Sequence, residues 1–555
     1  MTDFSAEVNT MSDQKLRVTR RSFVMGAAAS AAAIAGSGVL GAAAQDAEEK
    51  PATTYSWETP PDPIPAEDIT ETVDADVVVV GAGVAGVLAA LGAVEAGASV
   101  VVVERTDKAQ GRGGDNTAID SRIQRELGIE FDKHEIVRKL WHWGQGRINM
   151  DLLYLWADNC GMVMDRIEEI MNENGLQVYL VVPDRTDDNA AVIDSWPRPE
   201  SLHGWDYRTE TIIEYPTCHR IGAIHTDQGA WLNMVLDKVA SLGASVYFNT
   251  RAEQLIREDG GRVTGVVATN ADGEYIQFNA AKAVILCTGD YGADPEMVAK
   301  YTPEKMMPGM VSTGTGDGHK MAMWVGAVME QLPHCPMSHL FHEMGTDAFL
   351  QVNSQGKRFF NEDADTESLA NQYYEQGGAW VVFDSSWEED VEKMGAGFFR
   401  VHKATDAVRA DFEAKLKAGR LIQADTIEEL AELMGVPADN LQATIDRYNE
   451  LCYLGEDRDY GKRADRMTPV DTPPYYAGWH AKPTFALVVL GGLLTNEKLQ
   501  ALDAEGNVIP GLYLAGNTVG RRFKGGYPVI CPGLSHSMAW THGYLAGGWA
   551  AEEEA

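Results

Sequence analysis

Apolar positions along this chain gather into short β-branched runs separated by small-residue and helical stretches. Residues 75–80 read Ala-Asp-Val-Val-Val-Val and residues 98–103 read Ala-Ser-Val-Val-Val-Val. Both are runs of the kind that fill a buried strand. Val87 to Ala96, between them, reads as a helix of small residues, and a longer helical pattern spans Thr426 to Cys452. An Ala/Gly-rich apolar run from Gly26 to Ala44 is too short and too weakly apolar to make a good membrane anchor. Residues 45–72 carry Pro51, Pro60, Pro61, Pro63 and Pro65 among several acids and read as a linker. Residues 183–220 are polar and proline-interrupted and read as an insertion loop. No internal repeat is visible.

The first strand runs into Gly81-Ala82-Gly83-Val84-Ala85-Gly86, and the second closes on Glu104. Strand, glycine turn, helix, strand and acid at this spacing make a dinucleotide-binding unit. Gly81 permits the tight turn, Gly83 lets backbone approach a pyrophosphate at the helix N-terminus, and Gly86 lets helix and strand pack closely. Glu104 stands where a carboxylate accepts hydrogen bonds from ribose hydroxyls. No second glycine motif of this kind has a strand before it, so electrons exchange with something other than a bound nicotinamide.

Bulk composition narrows the rest. The chain has 555 residues, 45% hydrophobic and 23% charged, enough for two or three domains with sizeable cores. Its net charge of −36 argues against a nucleic-acid partner, because phosphate is repelled. The six cysteines lie scattered, without the pairing that covalent haem or an iron–sulfur cluster needs, and the histidines near 319–342 fit no standard metal spacing. No metal is expected. Twin arginines in Thr19-Arg20-Arg21-Ser22-Phe23-Val24-Met25 precede the apolar run, and Ala42-Ala43-Ala44 follows as a cleavage site. Residues 1–44 therefore read as a Tat signal peptide, placing the mature protein in the periplasm or at the cell-envelope exterior. Tat substrates fold before export, which fits a cofactor loaded inside the cell.

Further along, Gly113-Gly114-Asp115-Asn116-Thr117-Ala118, Ala283 to Gly292, Gly314-Thr315-Gly316-Asp317-Gly318, Val352 to Glu362 and Gly511 to Asn517 carry a resemblance. They are similar to motifs of the FAD-dependent fumarate reductase and succinate dehydrogenase flavoprotein superfamily, from Asp76 to about Gly548. The resemblance implies an α/β fold with an α+β cap. A Rossmann-like FAD-binding domain is split into 73–331 and 485–555 around a capping, substrate-binding domain at 332–484. It implies non-covalent FAD, contacted by Gly81, Gly83, Val84, Ala85, Gly86, Glu104, Arg105, Gly113, Gly114, Asn116 and Thr117. Further on, Ala252, Thr288, Gly289, Asp317, Asn517, Gly533, Leu534 and Ser535 complete the set. The final helix, starting at Gly533, would aim its dipole at the flavin.

The same resemblance locates the reaction site. Where fumarate reductases place a proton-donating arginine, this chain reads Met344 to Ala348, and where they place a histidine it reads Leu487 to Gly492. Their carboxylate-binding arginine falls near Ile530. Val489 and Ile530 in place of an anion clamp suit an apolar substrate. Gly491-Gly492-Leu493 and Tyr527-Pro528 with Gly533 resemble 3-ketosteroid dehydrogenases, in which a tyrosine hydroxyl and a glycine N–H polarise a carbonyl. Val529-Ile530-Cys531 makes this segment longer than the family's. The catalytic candidates are Tyr527, Gly533, His536 and Arg358, with His334, His339, His342, Tyr373 and Tyr374 as further proton donors.

The expected activity is reduction of an activated C=C bond in a mostly apolar enone or enoate, fed by an exported or membrane-associated cytochrome or quinol system. A ketosteroid-type dehydrogenase running in reverse stays open. So does a reductase of small unsaturated acids using Arg521 and Arg522, and so does an electron-transfer flavoprotein without a substrate.

Overall fold

The computed structural model describes residues 55–180, 215–222, 228–302, 312–338, 342–345, 347–394, 401, 403–481 and 486–554. The signal-peptide reading of residues 1–44 lies outside them. No described helix is long and apolar enough to cross a membrane.

Strand β1 (Ile69–Val80) ends in four consecutive buried valines, and helix α1 (Val84–Glu95) follows the glycine turn at once. Strand β2 (Val100–Val103) then pairs with β1 in parallel. Helix α2 (Met150–Glu173) precedes the return to the sheet. Strand β3 (Tyr275–Leu286) lies parallel to β1 on its other side. Strands buried on both faces can be valine throughout, because neither face meets water. A hairpin of 251–257 and 263–269 extends β3 on its antiparallel flank. β1 begins at Ile69, so the last four residues assigned to the linker are strand, paired with the residues from Tyr275 onward.

After helix α3 (Asp317–Trp324) the chain leaves the sheet through strand β4 (Pro336–Met337). The next segment builds its own antiparallel sheet in the order β5 (Leu350–Val352), β6 (Gly378–Asp384), β8 (Tyr475–Ala481), β7 (Leu421–Ala424), with helix α4 (Thr366–Gln376) leading into β6. The helix expected over Thr426 to Cys452 is two helices, Ile427–Met434 and Ala438–Leu454. The break falls where Gly435 takes φ 69° and Pro437 caps the second helix.

The chain returns through strand β9 (Val488–Val489), which pairs antiparallel with β4. Strand β10 (Val508–Leu514) then joins β3 in parallel, and helix α5 (Leu534–Glu552) packs across α1. This helix pair touches backbone to backbone. A Cβ at Gly543 would stand 2.2 Å from Ala85 O, one at Gly547 2.0 Å from Ala89 O, and one at Gly92 2.1 Å from Tyr544 O.

Two further expectations change. The last three residues read as an insertion loop, 218–220, belong to a buried strand, Cys218–Ile221, between Asn116–Thr117 and Val178–Leu180. Residues 183–214 of that loop lie outside the described residues. Arg358, a catalytic candidate, is structural. Its guanidinium donates to Glu362 at 2.7 and 2.8 Å and to Asp457 at 3.0 and 2.7 Å, and all three side chains are buried.

Burial alone would raise the Asp457 carboxyl. The Arg358 guanidinium and the Lys462 N–H outweigh it and hold that carboxyl far below its ordinary value. The folded group therefore titrates below the unfolded one, so its stabilisation is complete above about pH 4 and fades as pH falls through the depressed value. Arg358→Met is expected to cost about 3–5 kcal/mol, since Asp457 loses its cation and Glu362 keeps only Lys462, at 3.6 Å. Denaturant titrations between about pH 7 and about pH 3 should show this loss together with a flatter acid limb.

Candidate active site

The turn between β1 and α1 sits at the centre of the site. Gly81 N–H donates to Val103 O at 2.8 Å, which ties the turn to β2. A Cβ at Gly86 would stand 1.8 Å from Gly81 O, so only glycine lets α1 start this close to its strand. A Cβ at Gly83 would meet nothing nearer than Gln110 O at 3.8 Å, because this residue faces open space. Two chambers meet there, of about 330 and 540 Å³, and both are lined by Gly83, Cys287 and Gly289.

The smaller chamber collects Gly81, Glu104, Arg105, Ala252, Thr288 and Asp317. Glu104 is buried and fixed: Oε2 accepts from Ala82 N–H at 2.6 Å, and Oε1 accepts from the N–H and hydroxyl of Thr106 at 2.8 and 2.7 Å. Arg105 is held by Thr313 O at 2.6 Å and the Thr315 hydroxyl at 3.1 Å. Burial works against the Asp317 carboxylate, but Arg251 at 3.1 Å more than offsets it and keeps that carboxyl below its ordinary value.

The larger chamber collects Val84, Ala85, Gly113, Gly114, Asn517, Tyr527, Gly533, Ser535 and His536. It lies between the N-termini of α1 and α5, where unfilled N–H groups face anionic ligands. Ser535 N–H donates to the Tyr527 hydroxyl at 3.0 Å, which pins that phenol to the first turn of α5. Burial pushes the phenol well above its ordinary value, so Tyr527 keeps its proton. His536 Nδ1 lies 2.8 Å from Asp115 O and 2.9 Å from Gln228 Nε2.

Four residues expected at the cofactor stand behind the lining. Gly86 is packed under Gly81, and Leu534 is fully buried. Asn116 and Thr117 form a short buried strand, with the Thr117 hydroxyl donating to Pro532 O.

The remaining wall comes from residues the sequence reading placed elsewhere or did not single out. Met337, Leu487, Val488 and Val529 line the larger chamber. The side chains facing it are thus Val488 and Val529, one position before the expected Val489 and Ile530. Val489 turns away, and its N–H donates to Asp290 Oδ2 at 2.8 Å, which ties the β4–β9 ribbon to the end of β3. Ile530 also turns away, and its carbonyl accepts from Tyr215 N–H at 2.8 Å. Strand alternation was the available signal for Val488, but a two-residue strand is too short to show it. Glu367 also went unnoticed; its carboxylate accepts Ser338 N–H at 3.2 and 3.3 Å, next to Met337.

The other proton-donor candidates sit outside the chambers. His334 is buried, 2.5 Å from the Tyr291 hydroxyl and stacked on Tyr301, and burial pulls its imidazole down to about 4. His342 donates from Nε2 to Asp347 O at 2.8 Å and accepts Met344 N–H on Nδ1 at 3.1 Å. Burial takes it down to about 3, so both rings are neutral. Tyr373 is buried beside His480, and neither Tyr373 nor Tyr374 reaches the chambers. His339 lies outside the described residues.

Together the chambers make one elongated groove bent around the N-terminus of α1. A fixed carboxylate at one end, open glycine backbone at the N-terminus of α1 in the middle and the N-terminus of α5 at the other fit an adenine dinucleotide carrying a flavin. A parallel sheet opening its first turn into such a groove defines a dinucleotide-binding flavoprotein oxidoreductase. Residues 76–531 match the FAD binding domain family. The chain belongs to that family and is an FAD-dependent oxidoreductase acting on CH–CH groups.

It is 29% identical over 477 residues to urocanate reductase of Eggerthella lenta, covering 81% of this chain and 71% of that protein. It is 27% identical over 521 residues to vinyl phenol reductase of Lactiplantibacillus plantarum, covering 86% of this chain and 96% of that protein. Its fold is similar to the crystal structure of 3-ketosteroid-Δ4-(5α)-dehydrogenase from Rhodococcus jostii RHA1, with a TM-score of 0.66 and 23% identity over 88% of this chain and 99% of that one.

Gly83 has ordinary extended backbone angles, so a side chain there adds bulk without strain. Gly83→Val is expected to fill the junction of the chambers and weaken FAD binding at least about tenfold. Flavin absorbance of the purified protein reads the loss, with far-ultraviolet dichroism unchanged.

Proposed function

We propose that this enzyme reduces an activated C=C bond of a mostly apolar enone or enoate, using electrons from an external redox partner. The supporting observation is the wall of the larger chamber. Met337, Leu487, Val488 and Val529 present hydrocarbon, the last three in the segments where the fumarate reductases it resembles carry histidine and arginine. Such a wall rewards burial of an apolar substrate, and Arg112 is the one guanidinium in the described lining, where a dianion clamp needs more than one cation. The reductases of urocanate and of vinyl phenol among its relatives favour the reducing direction and unsaturated substrates that carry a ring.

Bound FAD supplies two-electron hydride chemistry. The chain's own residues orient the substrate and handle charge. The protonated Tyr527 hydroxyl and the Gly533 N–H are assigned to the substrate oxygen, where negative charge gathers as the double bond is reduced. His536, the imidazole lining this chamber among the described residues, is assigned the second proton. The twin-arginine segment and the apolar run after it support export of the folded holoenzyme. The partner is then a cytochrome or quinol system at the cell envelope.

Reoxidation of a reduced viologen dye by the holoenzyme tests this reading. Cinnamates, vinyl phenols or 3-keto-Δ4 steroids are expected to reoxidise the dye faster than fumarate does. Tyr527→Phe should lower kcat/KM for the preferred substrate by about 100–1,000-fold, the range for loss of one donor to developing charge. Fumarate as the best oxidant would overturn the apolar assignment. Faster reduction of a high-potential dye, such as an indophenol, by a saturated ketone would reverse the direction.

A further inference from the structure

The turn after β10 buries an unbalanced set of charges directly behind the larger chamber. Asn517 lines that chamber. Its Oδ1 accepts from Arg522 Nη2 at 2.6 Å, and Arg522 Nε donates to Val519 O at 3.2 Å. The third guanidinium nitrogen, Nη1, has no partner, and the side chain is wholly buried. The nearby anion, Glu330, is taken by Lys524, whose Nζ lies 2.7 Å from Oε2. Lys524 also donates to the carbonyls of Gln331 at 2.5 Å and Pro333 at 2.9 Å. His542 faces the same cluster and adds no charge, because burial and then Arg522 pull its imidazole down to about 3. Tyr527 is a protonated phenol. Burial lowers Arg522 to about 10, which leaves it cationic at neutral pH.

Arg522 and Lys524 against Glu330 leave one positive charge in excess. A buried guanidinium with an unfilled N–H is costly unless negative charge comes near it, and the Phe523 ring face, 5.2 Å from Cζ, supplies only part of that. The side that offers room for a ligand is the chamber. Asn517 commits its carbonyl oxygen to Arg522, so its amide NH2 is the end left for the chamber.

We propose that Arg522 is a redox-positioning residue, which orients Asn517 as a hydrogen-bond donor to FAD and stabilises the negatively charged reduced flavin through its buried positive charge. The proposal rests on seating the flavin ring in the larger chamber and on nothing about the substrate. Arg521, its neighbour, plays no part; it is exposed, and its carbonyl accepts Asn149 N–H at 2.8 Å. Arg522 thus acts on the cofactor from behind and does not clamp a substrate carboxylate.

Potentiometric titration of the holoenzyme, reduced anaerobically by dithionite with mediator dyes and without substrate, tests this. Arg522→Gln is expected to lower the midpoint potential of the bound FAD and to lose more FAD on gel filtration than the parent. A fully FAD-loaded Arg522→Gln at the parental potential would overturn the proposal. Arg522→Lys supplies a second arm should the glutamine variant fail to fold. A buried lysine gives up its proton far more readily than arginine. The potential of Arg522→Lys should therefore follow the parent at low pH and fall below it as pH rises. Parental potential across the whole pH range would count against the proposal equally. Because no substrate is present, failure here leaves the double-bond reading standing, and failure of the dye assays leaves this one standing.

Discussion

The crossing of α1 and α5 is the contact on which the rest of the molecule depends. The two helices lie more than four hundred residues apart in sequence, yet their glycines bring backbone against backbone. That contact closes a sheet interrupted by an entire second segment. It also sets the N-termini of both helices at one groove. A methyl group at Gly543 or Gly547 would push the helices apart and separate the two ends that face the cofactor. Dispersion and close packing hold this crossing, and the Tyr544 hydroxyl of α5 donates to Glu95 of α1 at 2.8 Å.

What could be read from the sequence follows from how local each signal is. The β1–α1–β2 unit was legible because its glycines, valines and Glu104 do their work within a short span. The split of the sheet was legible through motifs resembling a known superfamily. The apolar wall of the larger chamber was not. It depends on which of two adjacent residues faces inward at Val488 or Val489 and at Val529 or Ile530, and those choices are made by Asp290 and Tyr215 reaching in from distant segments. Arg358 misled for a related reason. Its partner Glu362 is close in sequence, but Asp457 is 99 residues away. Nothing local distinguishes a buried ion pair from an arginine awaiting a substrate.

The histidines make the same point about burial. His334 and His342 looked like proton donors by position alone. Their rings are enclosed, satisfied by a tyrosine hydroxyl, carbonyls and a backbone N–H, and too dry to carry charge. His536 differs because the helix that carries it begins at the groove. The chemistry of an imidazole here is decided by the element that presents it.

The β4–β9 ribbon has one more consequence. The segment between the two halves of the sheet leaves through β4 and returns through β9, and those strands lie side by side. Both covalent tethers therefore share a single axis, like the two leaves of a door hung on one pin. Met337 and Val488, paired across that axis, are also part of the chamber wall. Any swing of the cap must then turn about the wall proposed to meet the substrate, so the fit of a ligand there and the angle of the door become one variable.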